Sequence, residues 1–458
     1  MTKHNTDQTL SYDNKVILAP MVRVGTLPFR LLALKYGADI VYTEELIDWK
    51  LLKSIRIVND ALGTIDYIDK SDGTVVFRTC STEKNKVVLQ LGTCDPERAL
   101  KVGKMIEKDV AGIDINMGCP KEFSLKGGMG AALLMQPEKA QAILTALVKN
   151  IEIPVTCKIR VFDSVEQTVS LVKKLESTGI AAIAVHGRTR IERPQHLNRN
   201  QTIAAIAQAI NIPVIANGGS REIDRYTDIL KFREDCGASS VMVARAAEGN
   251  CSIFCSKGMS ELETVITTYL KLAVDYDNSP SNTKYCVQNM LKELQETPRG
   301  KKFLECQTLE QICAIWGLGE YCRQKQLEYQ AKGMMSRREV APDIFNSNKK
   351  RIKLDSDESD MYKLKCAFIR VNYPKDTDLP KSKLIAYCGK NRIQVPKYKI
   401  IQEDKLFRAV ASFEDKTYTS TYWEKNKRFA EQGAALACCV ALGLIDRQTL
   451  VDDGSILE

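Results

Sequence analysis

The chain is poor in the residues from which metal and disulfide sites are built. Only three histidines occur among 458 residues (His4, His186 and His196), and there is no Cys-x-x-Cys pair. That scarcity argues against a structural zinc site, whose ligands recur at short fixed spacings, so no metal is expected. The 15 cysteines are scattered without paired spacing, as expected for reduced thiols inside a cell. No run approaches the roughly eighteen apolar residues of a membrane span, so no membrane partner is expected. The opening MTKHNTDQTLSYDN is polar and carries acids, unlike a secretory signal or an arginine-rich transit peptide. A cytoplasmic location is therefore expected. A Gly-x-Gly-x-x-Gly turn after a strand is missing too, so no dedicated dinucleotide fold is indicated.

What is present is ordinary in bulk and uneven in detail. The length allows two or three domains, and 44% hydrophobic with 27% charged residues is a globular composition. The net charge is +9, but residues 361–440 hold 16 Lys+Arg against 8 Asp+Glu, an excess of +8 in one short stretch. A basic module with interleaved aromatics suggests a polyanionic partner.

Between residues 14 and 250, short β-branched runs alternate with amphipathic stretches. Strands are predicted at 16–19, 40–43, 87–91, 112–116, 155–159, 182–185, 214–216 and 240–243, with helices such as 137–149, 165–177 and 203–210 between them. Eight strand–helix units over this length fit a (β/α)8 TIM barrel, an α/β fold, better than an open doubly wound sheet. Residues 52–81 break the pattern and read as an excursion in the form of a hairpin. The β-branched runs stop after residue 257, and 258–332 read as a small helical domain. Residues 333–360 read as a charged linker. Its block Lys349-Lys350-Arg351-Ile352-Lys353 leaves a nuclear pool open, although a solvated tether is the simpler reading. Residues 361–445 read as an α-β-β-β-α module.

Chemistry in such a barrel gathers at the C-terminal strand ends, and the unusual residues fall there. The first strand ends in Ala19-Pro20-Met21, the third contains Gln90, and the fourth runs into Asn116-Met117-Gly118-Cys119-Pro120. Glycine and proline force a turn there, so Cys119 faces the mouth of the barrel. The fifth strand carries Lys158 and Arg160, the sixth ends in His186-Gly187-Arg188, the seventh in Asn217-Gly218-Gly219 and the eighth in Ala244-Arg245. Glycines after the seventh strand and the charge of Arg245 suit a phosphate. Lys158 suits the anionic edge of a reduced flavin, with His186, Gln90 and the Met21 backbone around the ring. Together these strand ends point to FMN.

With these motifs, Thr26-Leu27-Pro28-Phe29-Arg30, and Asn282-Thr283-Lys284-Tyr285-Cys286 downstream, the chain resembles the tRNA-dihydrouridine synthases. One departure is Ala244, where bacterial relatives usually carry glycine. The resemblance implies reduction of uridine to 5,6-dihydrouridine in the D-loop of tRNA, at position 20. NADPH is the implied reductant and FMN the cofactor, with hydride going to C6 and Cys119 giving the proton to C5. It further implies that Asn116 orients substrate or flavin, and that Arg160 and Arg188 lie on the RNA side. The enzyme is expected to act as a monomer with tRNA as its partner.

Residues 378–444 resemble a double-stranded-RNA-binding domain, with Pro396-x-Tyr398 and the basic start of the last helix as the matching parts. Lys425, Lys427 and Arg428 are then expected to touch phosphates, assisted by Lys363, Lys365 and Arg370 upstream. Glu431 stands where that helix usually has a third basic residue. Two other readings stay open. A flavin barrel of this kind also suits a free pyrimidine, as in dihydroorotate dehydrogenases, but a free base needs no RNA module. An idle RNA-binding adaptor has no need to keep Cys119, Lys158 and His186.

Overall fold

The computed structural model describes residues 10–334, 361–403 and 405–457. The basic block at 349–353 and nearly all of the 333–360 linker lie outside the described residues. The chain packs as two units, residues 1–290 and 291–458.

In the first unit, β1 (Val16–Leu18) and β2 (Ile40–Tyr42) are the opening barrel strands, and a two-residue β3 (Leu46–Ile47) follows. Then come β4 (Ser54–Asn59), β5 (Thr64–Asp69) and β6 (Val75–Cys80), which form a separate three-stranded antiparallel sheet. This is the predicted excursion, one strand larger than a hairpin. The barrel resumes with β7 (Val87–Gly92), β8 (Gly112–Met117), β9 (Val155–Arg160), β10 (Ala182–His186), β11 (Val214–Asn217) and β12 (Ser240–Val243). These strands pair in parallel in the order β2-β1-β12-β11-β10-β9-β8-β7, and β2 pairs with β7 to close the ring. All eight barrel strands are those predicted. Their β-branched residues are buried on both faces, as parallel strands covered by helices require.

Local signals explain where the intervening helices start. Asp95 accepts from the Arg98 backbone N–H ahead of Pro96–Ile106, and Ser164 does the same for Gln167 ahead of Val165–Glu176. Such caps satisfy otherwise orphaned donors. Inside the ring, Tyr12, Ile17, Ile40, Tyr42, Val88, Ala184, Ile215 and Met242 form the apolar filling.

The helix Pro280–Leu291 carries the Asn282 motif back onto the first barrel loop. Asn282 Nδ2 donates to Arg23 O at 2.5 Å, Thr26 Oγ1 donates to Asn282 Oδ1 at 3.2 Å, and Arg23 lies over the Tyr285 ring at 4.3 Å. Arg30, in the helix Leu27–Tyr36 that follows this loop, is buried against Glu83 at 2.5 Å and donates to Gly25 O and Arg78 O, both at 2.7 Å. The two motifs therefore meet in space as a structural brace.

The second unit contains the helices Pro298–Glu305, Leu309–Ala314 and Gly319–Ala331, followed by the basic module. All three fall within the stretch 258–332 expected to be helical. Gly319–Ala331 buries only Cys322 and Tyr329, so it shows little of the apolar stripe that periodicity detects. The module has β13 (Met361–Leu364), the helix Pro380–Asn391, β14 (Lys397–Glu403), β15 (Leu406–Phe413), β16 (Lys416–Ser420) and the helix Lys427–Ala441. The α-β-β-β-α order is as predicted. In addition β13 joins the sheet beside β16, in parallel, and the core extends past residue 445 to Leu450 and Ile456.

Lys301, in the helix Pro298–Glu305, reaches into this module. Its ammonium is buried against Glu424 and also donates to Phe368 O at 3.3 Å. Removing one member of such a pair strands the other charge. Lys301→Ala is therefore expected to destabilise the 291–458 unit by about 3–5 kcal/mol, read as a lowered urea midpoint. Lys301→Ala with Glu424→Leu should recover much of that loss.

Candidate active site

Cys119 sits where β8 ends, and the loop around it is held by backbone contacts. Asn116 Oδ1 accepts from the N–H groups of Gly118 and Cys119, both at 3.0 Å, and Cys119 O accepts from Ala131 N at 3.0 Å. Gly130, with φ of 57°, leaves the room: an added Cβ would lie 2.7 Å from Cys119 O. Arg160 secures the other side. It donates to Gly118 O at 2.9 Å and to Thr189 O at 2.8 Å, tying the cysteine turn to the loop after β10.

Asn116 is itself oriented by a chain of side chains through the barrel interior. Asn116 Nδ2 donates to Gln90 Oε1 at 3.1 Å, and Gln90 Nε2 donates to Asp114 Oδ2 at 2.9 Å. Thr156 Oγ1 donates to the other oxygen, Asp114 Oδ1, at 2.7 Å. A carboxylate can only accept, so it dictates which end of each amide faces the next. Asp114 was not singled out in the sequence, where it reads as one polar residue in a buried strand. Burial pushes its carboxyl up to about 6, against the opposing pull of the Gln90 and Thr156 hydrogen bonds and the Lys158 charge.

The mouth is strongly cationic. Lys158 keeps some exposure, while burial and then the Arg160 charge push its ammonium down to about 8. His186 faces Lys158, Arg160, Arg188 and Arg245, and burial first, then those charges, hold it well below the usual imidazole range. Arg188 Nη1 lies 3.2 Å from His186 Nε2. Since guanidinium can only donate, Nε2 accepts and the neutral ring carries its proton on Nδ1. Arg188 is fully buried and also donates to Gly218 O at 2.6 Å and His196 O at 2.9 Å. Its expected place on the RNA side is thus an interior one, because the loop after β10 folds over it.

The ends of β1, β11 and β12 shape the opposite wall. Ala19 is buried and its N–H donates to Val243 O at 2.9 Å, while Met21 O accepts from Val24 N and Gly25 N. Asn217 Nδ2 donates to Met242 O at 2.8 Å. Gly218 has φ of 112°, and a Cβ there would overlap the Asn198 amide and approach the His186 ring to 2.9 Å. Only glycine fits both constraints. At Gly219 a Cβ would come within 2.9 Å of Ile223. Beside these glycines, Asn198 Oδ1 and Ser220 Oγ are buried without a hydrogen-bond partner among the described residues. Ala244 precedes the helix Arg245–Gly249, and Arg245 is exposed.

Cys119 is half-buried, and burial, followed by the charge of Glu45, pushes its thiol above the usual range. The thiol therefore holds its proton at neutral pH. Glu45, on the loop after β2, is a second residue the sequence reading passed over. Its only signal was position: an acid at the C-terminal end of a barrel strand, which is where function concentrates.

In the second unit, Lys425, Lys427 and Arg428 are exposed around the start of the helix Lys427–Ala441, whose Asn426 cap accepts from Phe429 N. Lys363 and Lys365 are exposed as well, but Arg370 is paired with Asp376 at 2.9 Å. Glu431 is paired with Lys381 at 2.6 Å, so the departure noted in the sequence neutralises a neighbouring cation.

Comparison with known proteins adds an independent line. The family model described as "Dihydrouridine synthase (Dus)" matches residues 17–308, and "Double-stranded RNA binding motif" matches 380–442. A tRNA-dihydrouridine(20) synthase [NAD(P)+] of Schizosaccharomyces pombe is 40% identical over 293 residues, covering 62% of this chain and 60% of that protein. Its counterpart in Saccharomyces cerevisiae is 37% identical over 304 residues, covering 62% of this chain and 78% of that protein. The chain thus spans less than two thirds of the first relative's length. Among solved structures, a tRNA-dihydrouridine(20) synthase dsRBD domain is 34% identical, covering 20% of this chain and 97% of that one, with a TM-score of 0.19.

Proposed function

This chain belongs to the dihydrouridine synthase family, and from that premise we propose that it reduces uridine to 5,6-dihydrouridine in tRNA. The D-loop, at position 20, is the proposed target, NADPH the reductant and FMN the cofactor. The observation that carries the reading is a protonated thiol, Cys119, held by its backbone at the mouth of a cationic barrel.

The residues present fit FMN. The positive φ and crowded surroundings of Gly218, the unpartnered Ser220 hydroxyl and the exposed Arg245 make a cradle for a phosphate. Lys158 and neutral His186 would line the ring, with Ala19, Pro20, Met21, Gln90, Asn217, Gly219 and Ala244 completing the wall. When bound and reduced, FMN supplies the hydride that goes to C6 of the uracil.

The chain's own residues do the rest. Cys119 delivers a proton from sulfur to C5 of the base, and a raised thiol keeps that proton available until it is needed. Asn116 and Arg160 fix the turn that aims the sulfur. The target base must leave its stack to enter the mouth. Lys425, Lys427 and Arg428, with Lys363 and Lys365, would hold the RNA by its phosphates and A-form shape.

The test is direct: purified protein, FMN, NADPH and an unmodified tRNA transcript, with dihydrouridine mapped by reverse-transcription stops after borohydride cleavage. Dihydrouridine confined to the D-loop is expected. Protein that binds no flavin, or D-loop uridines left intact, would refute the reading. For the cradle, Gly218→Ala should lose bound flavin on gel filtration, seen as loss of absorbance near 450 nm, while Gly237→Ala, which also has positive φ but has only Ala204 near its added Cβ, keeps it.

A further inference from the structure

Two polar side chains converge on the Cys119 thiol and hydrogen-bond to it. Both carboxylate oxygens of Glu45 and the Ser124 Oγ are buried, and among the described residues they have no hydrogen-bond partner other than that thiol. Burying a carboxylate and a hydroxyl with only a thiol, a weak partner, to bond costs stability, so their placement calls for a reason.

The geometry is tight. Glu45 packs on Gly92, the last residue of β7, where an added Cβ would lie 2.8 Å from Glu45 Oε1 and 3.2 Å from its Cγ. Ser124 stands across Gly130 from the cysteine: a Cβ on Gly130 would lie 2.5 Å from Ser124 Oγ and 3.0 Å from Cys119 Cβ. Glycine at both places lets these side chains close around the sulfur. The Glu45 carboxylate and the Ser124 hydroxyl both act on the thiol, and the thiol in turn acts on Glu45. The charged groups facing this pair are Lys121, just after the cysteine turn, and Lys158 and Arg160 of β9.

We propose that Glu45 is the positioning acid of Cys119, returning a proton to its sulfur after each delivery to the substrate, with Ser124 steadying the sulfur during the exchange. This rests on the dihydrouridine reading. The proton balance closes. When the S–H bond breaks and a C5–H bond forms, a thiolate is left. A solvent proton at the mouth then binds the Glu45 carboxylate beside the new thiolate, and that O–H bond breaks as the S–H bond re-forms, so Glu45 ends ionised as it began. Burial supports this role, since it raises Glu45 above the usual carboxylate range and lets it hold a proton closer to neutral pH. The transfer runs downhill, because a thiol binds its proton more tightly than a carboxylate does.

The experiment follows Cys119 itself. Full-length protein is pulsed with iodoacetamide across pH 6–10 and digested with trypsin. The peptide of residues 109–121, which contains Cys119 as its only cysteine, is then quantified. Removing the Glu45 charge should lower the alkylation midpoint in Glu45→Gln by about one pH unit, making labelling at pH 8 roughly tenfold faster. Glu45→Asp keeps the charge but withdraws it, so it should fall between the two, and it carries the test if the Gln variant does not fold. In turnover, Glu45→Gln should form its first dihydrouridine per enzyme at close to the native rate, then slow at least tenfold. Superimposable alkylation profiles overturn the proposal whatever the substrate. Failure of the native protein to reduce tRNA is a separate result and overturns the substrate instead.

Discussion

Cys119→Ala binds FMN and tRNA as the native chain does, oxidises NADPH at an unchanged rate, and forms dihydrouridine about 10²–10⁴-fold more slowly. The expectation rests on how the loop is held. Asn116 takes the Gly118 and Cys119 backbone N–H groups, Ala131 N donates to Cys119 O, and Arg160 grips Gly118 O. None of these contacts involves the thiol, so truncating the side chain leaves the turn and the cationic mouth in place. What is lost is the proton for C5. A single-turnover assay with reduced enzyme and tRNA isolates that step from NADPH oxidation. Product formation within threefold of native would remove Cys119 from the mechanism. Cys119→Ser should recover little, because a serine hydroxyl is a far weaker acid than a thiol.

The second large effect concerns the RNA module. Replacing Lys425, Lys427 and Arg428 together by alanine should weaken tRNA binding at least tenfold at moderate salt. The plot of log affinity against log salt should become shallower by about 2, since each lost phosphate contact removes roughly 0.7–0.9 from the slope. NADPH oxidation should be untouched. Lys425 is the weakest member because Glu296 lies 3.9 Å from its ammonium, so the Lys427 and Arg428 changes should account for most of the loss. An unchanged salt slope would mean that this helix start does not meet the RNA. Point substitutions are the cleaner test here. Deleting everything after residue 360 would leave Lys301 without Glu424 and Phe368, and weakened binding would then be confounded with unfolding.

Both effects depend on features of different legibility. The eight barrel strands, the α-β-β-β-α module and the mouth residues Cys119, Lys158 and His186 could all be read from one sequence. Strands buried on both faces appear as compact β-branched runs, and turns that bring chemistry to a strand end need glycine or proline at the bend. Arg188 and Arg370 show the limit of that reading. An arginine beside a motif looks like an RNA contact, but whether it faces outward depends on the loop that closes over it. Here one is buried against Gly218 and His196, and the other is spent on Asp376.

What the chain's order of residues determined alone was periodic or local: which segments become strands and helices, where turns fall, and which thiol lies at a strand end. Those follow from backbone preferences and burial patterns that act over a few residues. Only the tertiary structure decided that Asp114 orients Gln90 and Asn116, that Glu45 meets Cys119 at the mouth, and that Lys301 is buried in a module more than sixty residues further along. Such pairings carry no local signal, because each needs the barrel closed or the sheet packed before its partners come within hydrogen-bonding or ionic reach.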